Sequence, residues 1–88
     1  MDVQKLIGAN IRRYRLEADL SQEAVAEHMG VDRAYISGLE VGARNPTVVT
    51  LWHCALALNV KIAQLFDETV DPAAPLPKRK RAPKRIRQ

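Results

Sequence analysis

Histidine, cysteine and arginine are the side chains of this 88-residue chain that could carry chemistry, and their spacing limits which kind. His53 and Cys54 are adjacent, so on a helix they point in different directions, and His28 stands at no ligand spacing from either. A tetrahedral metal site needs three or four ligands, and no nucleophile is grouped with a base and an acid. We therefore expect no metal, no cofactor and no enzymatic activity, and we interpret Cys54 as a small core residue.

The arginines are the remaining candidates for a functional role. One of them, Arg33, begins a short predicted helix that ends near residue 41. Ile36 and Leu39 repeat at the spacing that turns them inward, which leaves the opposite face of the helix to the outside. Such a face is what a helix offers to a groove. The residues on this outer face are Arg33, Ala34, Ser37 and Gly38.

A second short helix must position this face, and the pattern of residues 21–41 predicts two helices that meet at a tight turn. Ser21 is a good N-cap for the first helix, and Asp32 takes the same place before the second. Gly30 lies between them and can adopt the left-handed conformation that ends a helix. Helices this short are not stable alone, so they must pack on other elements.

The stretch SQEAVAEHMGVDRAYISGLEVGARNPTVVTL resembles the helix-turn-helix of phage lambda repressor-like transcription regulators, the Xre/Cro group. The likeness spans about thirty residues and rests on an extended set of matching positions. Arg33 stands where such proteins often carry Gln, and Asp32 replaces the commoner Ser or Thr cap. The matching positions are Ser21, Gln22, Ala26, Gly30, Val31, Tyr35, Ile36, Ser37, Glu40, Gly42, Arg44, Pro46, Thr50 and Leu51.

The resemblance implies that the helix from Arg33 lies in the major groove of double-stranded DNA. There Arg33 can donate two hydrogen bonds to guanine, Ser37 can read either base edge, Ala34 can touch a thymine methyl, and Gly38 lets the backbone approach. Arg15 is implied to pair with Glu40 and so tie the first helix to the third. Phosphate contacts are expected from Arg12, Ser21, Gln22, Tyr35, Arg44 and Asn45; an ordinary polar loop is the alternative for the last two.

Helical periodicity extends on both sides of this motif. We predict a first helix from Val3 to Ala18, a fourth from Val48 to Leu58 capped by Thr47, and a short fifth from Lys61 to Phe66. The predicted fold class is all-α, a compact five-helix lambda repressor-like domain over residues 1–70. Leu51, Ala55 and Leu58 form the inward stripe of the fourth helix, and Val48 can join it.

The fourth helix is apolar on more than one face, which so small a domain cannot bury internally. A second copy of the chain is the expected partner for this second face, in a two-fold homodimer with Trp52 as a central anchor. The alternative is that Trp52 fills the core of a single chain. The predicted dimer interface consists of Val49, Trp52, Leu56 and Phe66.

The net charge of +4 conceals an asymmetry. Residues 1–71 carry seven Lys or Arg against ten Asp or Glu, which gives −3, whereas residues 72–88 carry seven against none, which gives +7. Four prolines and this repulsion predict a disordered basic tail over residues 71–88. The tail can lie along DNA phosphates, with a merely solubilising tail as the alternative; its expected contacts are Lys78, Arg79, Lys80 and Arg81.

These features together predict a sequence-specific, dimeric regulator of transcription that binds double-stranded DNA in the cytoplasm. Nothing resembles a signal peptide or a membrane span, and one cysteine excludes an internal disulfide. No small-molecule ligand is expected. Repression would follow from a site overlapping a promoter and activation from contact with RNA polymerase, and the sequence does not choose. A protein-interaction or antitoxin-like adaptor and an RNA-binding module are the alternatives.

Overall fold

The computed structural model describes residues 2–70, and these residues form four α-helices followed by one 3₁₀ helix. The α-helices are α1 (Val3–Glu17), α2 (Gln22–Met29), α3 (Arg33–Glu40) and α4 (Val48–Leu58), and the 3₁₀ helix is Ile62–Phe66. No β-strand occurs within these residues. The all-α fold class is confirmed, while the predicted disorder of residues 71–88 falls outside the described part of the chain.

The short fifth helix predicted from Lys61 to Phe66 is a 3₁₀ helix from Ile62 to Phe66, so the described residues contain four α-helices and not five. Asn59 ends α4 in a left-handed conformation with φ 57°, and Lys61 is extended. The next turn closes through an i to i+3 bond in which Gln64 N–H donates to the Lys61 carbonyl at 2.9 Å. Short 3₁₀ helices of this kind are common connectors.

Helix boundaries follow the local signals within residues 2–70, with one difference at α3. The Ser21 hydroxyl accepts a hydrogen bond from Ala24 N–H, and Gly30 is left-handed with φ 72°. Thr47 caps α4 by accepting from Thr50 N–H. Asp32 takes the N-cap position, but its side chain makes no capping bond; its own backbone carbonyl accepts from Tyr35 N–H instead.

Helices α1 and α3 cross so closely that only glycine fits at the contact. A Cβ atom added to Gly8 would overlap the Leu39 carbonyl oxygen and lie 2.7 Å from the Glu40 carbonyl oxygen. Gly8 is a poor helix former in sequence terms. Its missing side chain is what lets the backbone of α1 rest against the end of α3.

A buried asparagine in α1 attaches the 3₁₀ helix to the rest of the fold. Asn10 is fully buried, and its Nδ2 donates to the carbonyls of Leu65 and Asp67, both at 3.0 Å. Arg13 adds an ion pair to the Asp67 carboxylate at 3.2 Å. The contacts place the chain after α4 across α1.

The core lies between α1, α2, α3 and α4 and is closed by the 3₁₀ helix. Leu51, Ala55 and Leu58 are buried as predicted, whereas Val48 is 74% exposed and does not join them. Within residues 2–70, no helix is long and apolar enough to cross a membrane. The buried cluster consists of Ile7, Ile11, Val25, Ala26, Ile36, Leu39, Leu51, Cys54, Ala55, Leu58 and Leu65.

Candidate nucleic-acid interface

The outer face of α3 is open to the surroundings. Arg33 and Ala34 are exposed, and Ser37 and Gly38 are half-buried, while Ile36 is completely buried on the opposite side. The core contact of Ile36 fixes the rotation of α3 about its own axis. The helix therefore presents the side chains of Arg33, Ala34 and Ser37 outward, whereas Arg44 lies against Gly38.

Beside this face lies an open groove of about 580 Å³. Three arginines and one glutamate line it together with the N-terminal turn of α2, whose backbone N–H groups favour negative charge. The groove brings together residues predicted separately as phosphate and base contacts. Its lining residues are Arg12, Arg15, Ser21, Gln22, Glu23 and Arg33.

The buried Glu40 carboxylate at the end of α3 holds side chains that line the groove. Arg15 Nε donates to Glu40 Oε2 at 2.6 Å, and Arg15 Nη2 donates to Glu40 Oε1 at 3.1 Å. The ion pair that the resemblance implies is thus present as a two-bond contact. Arg15 Nη1 also donates to the Leu20 carbonyl at 2.8 Å, so the same side chain holds the turn between α1 and α2.

Gln22 and Arg12 also approach this carboxylate. Gln22 Nε2 donates to Glu40 Oε1 at 3.0 Å, and Arg12 Nε lies 3.8 Å from the same oxygen. Arg12 Nε is buried and makes no hydrogen bond within the described residues. An amide has two N–H donors and a guanidinium five, so both side chains keep donors for a phosphate.

The loop after α3 folds back against it. The Arg44 guanidinium carbon lies 5.3 Å from the centre of the Tyr35 ring, and Gln4 Nε2 donates to the Arg44 carbonyl at 2.7 Å. Arg44 also packs against Gly38. Asn45 is exposed beside it. The loop is therefore anchored at Arg44, and its contact with a phosphate stays a prediction.

The second apolar face of α4 is exposed in the single chain. Trp52 is 53% exposed, so the alternative in which it fills the core is wrong. His28 and His53 border this region, where they line a cleft of about 220 Å³ with Met29 and Leu56. The exposed apolar residues of this face are Val48, Val49, Trp52, Leu56 and Phe66.

Gln4 and Gly8 support the site and Asn10 holds the 3₁₀ helix, and sequence reasoning did not assign them these roles. Gly8 and Asn10 are unfavourable inside a helix, and that misfit is the signal that could have found them. A residue that weakens its own helix has a tertiary reason to be there. Gln4 gave no comparable signal, because glutamine is common on exposed helix surfaces.

Known proteins resemble this chain in sequence and in structure. The HTH-type transcriptional regulator y4dJ of Sinorhizobium fredii, itself uncharacterized, is 46% identical over 69 residues, which cover 78% of this chain and 90% of that protein. The crystal structure of the restriction-modification controller protein C.AhdI from Aeromonas hydrophila is 36% identical with a TM-score of 0.69, covering 72% of this chain and 96% of that one.

A further solved structure contains nucleic acid. It is the restriction-modification controller protein C.Esp1396I, a tetramer in complex with its natural 35-base-pair operator, 32% identical with a TM-score of 0.68 over 75% of this chain and 87% of that one. The family model HTH_3, described as helix-turn-helix, matches residues 11–65. The chain therefore belongs to the helix-turn-helix family, as the resemblance to lambda repressor-like regulators predicted.

Proposed function

We propose that this protein is a dimeric, sequence-specific DNA-binding regulator of transcription that works in the cytoplasm. The observation that carries the proposal is the exposed outer face of α3, which borders a groove lined by Arg12, Arg33 and the N-terminal turn of α2. A helix presented in this way beside a cationic surface suits the major groove and its flanking phosphates. The relatives named as transcriptional regulators and controller proteins support it.

In this proposal α3 lies in the major groove and reads bases. Arg33 stands at its N-terminal end, where a bidentate contact with guanine O6 and N7 is worth about 1–3 kcal/mol of discrimination. Ser37 reads a neighbouring base edge, and the Ala34 methyl contacts thymine. Each of these side chains is at least partly exposed on α3.

Phosphate contacts on both sides of α3 fix the register without reading sequence. At the start of α2, the Ser21 hydroxyl and the Gln22 amide face the groove beside Arg12. The Gln22 amide donates a hydrogen bond to Glu40. The Gln22 side chain is therefore already restricted before DNA binds, so it loses less rotamer entropy on binding. On the other side Tyr35, Arg44 and Asn45 supply donors to the next phosphates.

Dimerisation through the α4 face would place two copies of α3 on one side of the duplex. A two-fold interface buries the same patch from each copy, with Trp52 and Leu56 near its centre. Half-sites would then lie about 34 Å apart, one helical turn of DNA. C.Esp1396I is a tetramer on its operator, which supports symmetric assembly in the family.

Selection of bound fragments from a random duplex DNA pool tests this function. We expect an enriched consensus with two-fold symmetry and a half-site spacing of one helical turn, together with a dimer in sedimentation analysis. A chain that stays monomeric and binds duplexes only through residues 72–88 would instead indicate an adaptor that uses the α4 face for another protein. Preference for an RNA duplex in competition would likewise refute the proposal.

A further inference from the structure

We infer that Gly38 serves to hold Arg44 folded back on α3 as a fixed part of the DNA-facing surface. Gly38 is then a positioning residue and not a base contact. This inference rests on the proposed function, because it specifies how one cation of the same surface is presented. It also replaces the expectation that the glycine simply lets the duplex approach the backbone.

The space above Gly38 is occupied by the Arg44 side chain. A methyl group added at Gly38 would lie 3.0 Å from Arg44 Cγ, 3.1 Å from Nε and 3.6 Å from Cδ. The first two separations are shorter than ordinary carbon–carbon and carbon–nitrogen contacts. A side chain at this position would therefore require Arg44 to move away from α3 by a few tenths of an ångström.

The other end of the Arg44 side chain rests on an aromatic ring. Its guanidinium carbon lies 5.3 Å from the centre of the Tyr35 ring, within the range of a cation–π contact. Tyr35 and Gly38 are three residues apart on α3, so they are neighbours on one face of the helix. The arginine spans both positions and covers that part of the outer face.

The backbone of Arg44 is also held in place. Gln4 Nε2 of α1 donates to the Arg44 carbonyl at 2.7 Å, and Ala43 N–H donates to the Gly38 carbonyl at 2.9 Å. A long side chain attached to a fixed backbone and stacked on a ring has few conformations left to lose. Arg44 therefore meets a phosphate with less entropic cost than a free surface arginine.

Gly38→Ala, Arg44→Ala and the double variant test the inference. The probe is a duplex that the unmodified protein selects from a random pool. Removing one charge-assisted hydrogen bond to a phosphate lowers affinity about tenfold in Arg44→Ala. We expect Gly38→Ala to cost about fivefold alone and almost nothing in the Arg44→Ala background, because the arginine it displaces is already gone.

Stability and a second pair of variants provide the controls. Alanine favours helix more than glycine does, but its methyl must be accommodated against Arg44, so the melting temperature of Gly38→Ala should stay within about 4 °C of the parent while binding weakens. In a matched cycle with Arg33→Ala, the two losses should multiply, since no contact joins Arg33 to Gly38. In the free protein, proton NMR should show Arg44 side-chain signals shifted by the Tyr35 ring, and the shift should become smaller in Gly38→Ala.

Three results would overturn the inference. Gly38→Ala could cost as much affinity in the Arg44→Ala background as alone, which would mean that its methyl meets the DNA itself. It could leave affinity unchanged, or Arg44 could lack the ring-current shift in the free protein. Failure of the unmodified chain to select any duplex would remove the proposed function itself, whereas these three results leave that function intact.

Discussion

At the scale of single residues, Arg33 is the residue that we propose to contribute most to sequence specificity. It is exposed at the first position of α3 and lines the groove, and no core packing depends on it. We expect Arg33→Ala to lower affinity for the selected duplex about 10- to 100-fold, as removal of one bidentate base contact predicts. Binding to a duplex with that base pair replaced should change little.

Competition between the selected duplex and single-base-pair variants measures this effect. The free energy of unfolding should stay within about 0.5 kcal/mol of the parent, because surface substitutions of this kind rarely do more. Equal weakening on every duplex would assign Arg33 to the phosphates and contradict its role in base reading.

Cys54, unlike Arg33, is inaccessible to solvent and to reagents. It is fully buried, and its thiol lies 3.6 Å from Met29 Sδ. Burial raises the pKa of the Cys54 thiol from 9.0 to about 11. A thiol-specific reagent at neutral pH should therefore modify the native chain only at the rate of unfolding, and much faster in denaturant.

The same pKa shift makes stability depend on alkaline pH. Between pH 9 and 11 the unfolded chain loses the Cys54 proton while the folded chain keeps it, so stability falls as pH rises. At pH 10 the expected loss is about 1 kcal/mol relative to pH 8. Urea unfolding of the parent and of Cys54→Ala at both values checks it; an equal alkaline loss in both proteins would refute the assignment.

At the scale of elements, one buried carboxylate sets how three helices meet. Glu40 of α3 accepts from Arg15 of α1 and from Gln22 of α2, so it fixes the position of α3 relative to both. A buried pair of this kind contributes little net stability, yet removing one partner leaves an uncompensated charge. The contact therefore specifies the arrangement of the groove more than it stabilises the fold.

We expect Arg15→Ala to lower the free energy of unfolding by about 3–5 kcal/mol, because it leaves the Glu40 carboxylate buried with less compensation. Combining Arg15→Met with Glu40→Leu should recover most of that loss. Urea unfolding of the parent, of Arg15→Ala and of the double variant measures both effects. If the double variant were as unstable as Arg15→Ala, the cost would come from poorer packing rather than from the stranded charge.

At the scale of the whole molecule, the exposed face of α4 should decide the oligomeric state. Leu56 is 58% exposed in the single chain, so Leu56→Glu should leave the monomer fold intact. A charge placed in the dimer interface should weaken association about 100-fold. Sedimentation velocity over a concentration series measures it.

A matched control for this test lies elsewhere on the surface. Val41 is 59% exposed, follows α3 and lies outside the α4 face. Val41→Glu should therefore leave the dimer unchanged. If both variants dissociated equally, or neither did, the interface would not be the one proposed.

The tail should act on affinity as a whole rather than on sequence preference. Residues 72–88 carry seven cations and no anion. Their deletion should weaken binding to every duplex alike and flatten the dependence on salt by about 0.9 for each phosphate that the tail neutralises. Fluorescence anisotropy across a salt series, on selected and scrambled duplexes, checks this. A changed base preference would contradict the proposal that α3 reads bases and the tail contacts only phosphates.

The sequence by itself determined the features that depend on neighbours along the chain. Ser21, Gly30 and Thr47 end or begin their helices as predicted, because capping is decided within one turn. The inward stripe of α4 and the family followed from helical periodicity and a motif of about thirty residues. These signals are local, so a sequence read in order contains them.

Only the tertiary structure decided the features that need distant residues to meet. Asn10 and Leu65 lie 55 positions apart, and their hydrogen bond fixes where the chain after α4 runs. The closeness of Gly8 to the α3 backbone and of Arg44 to Gly38 arises only when the helices pack. Such contacts depend on the distance and rotation between elements, and no local preference of the chain encodes either one.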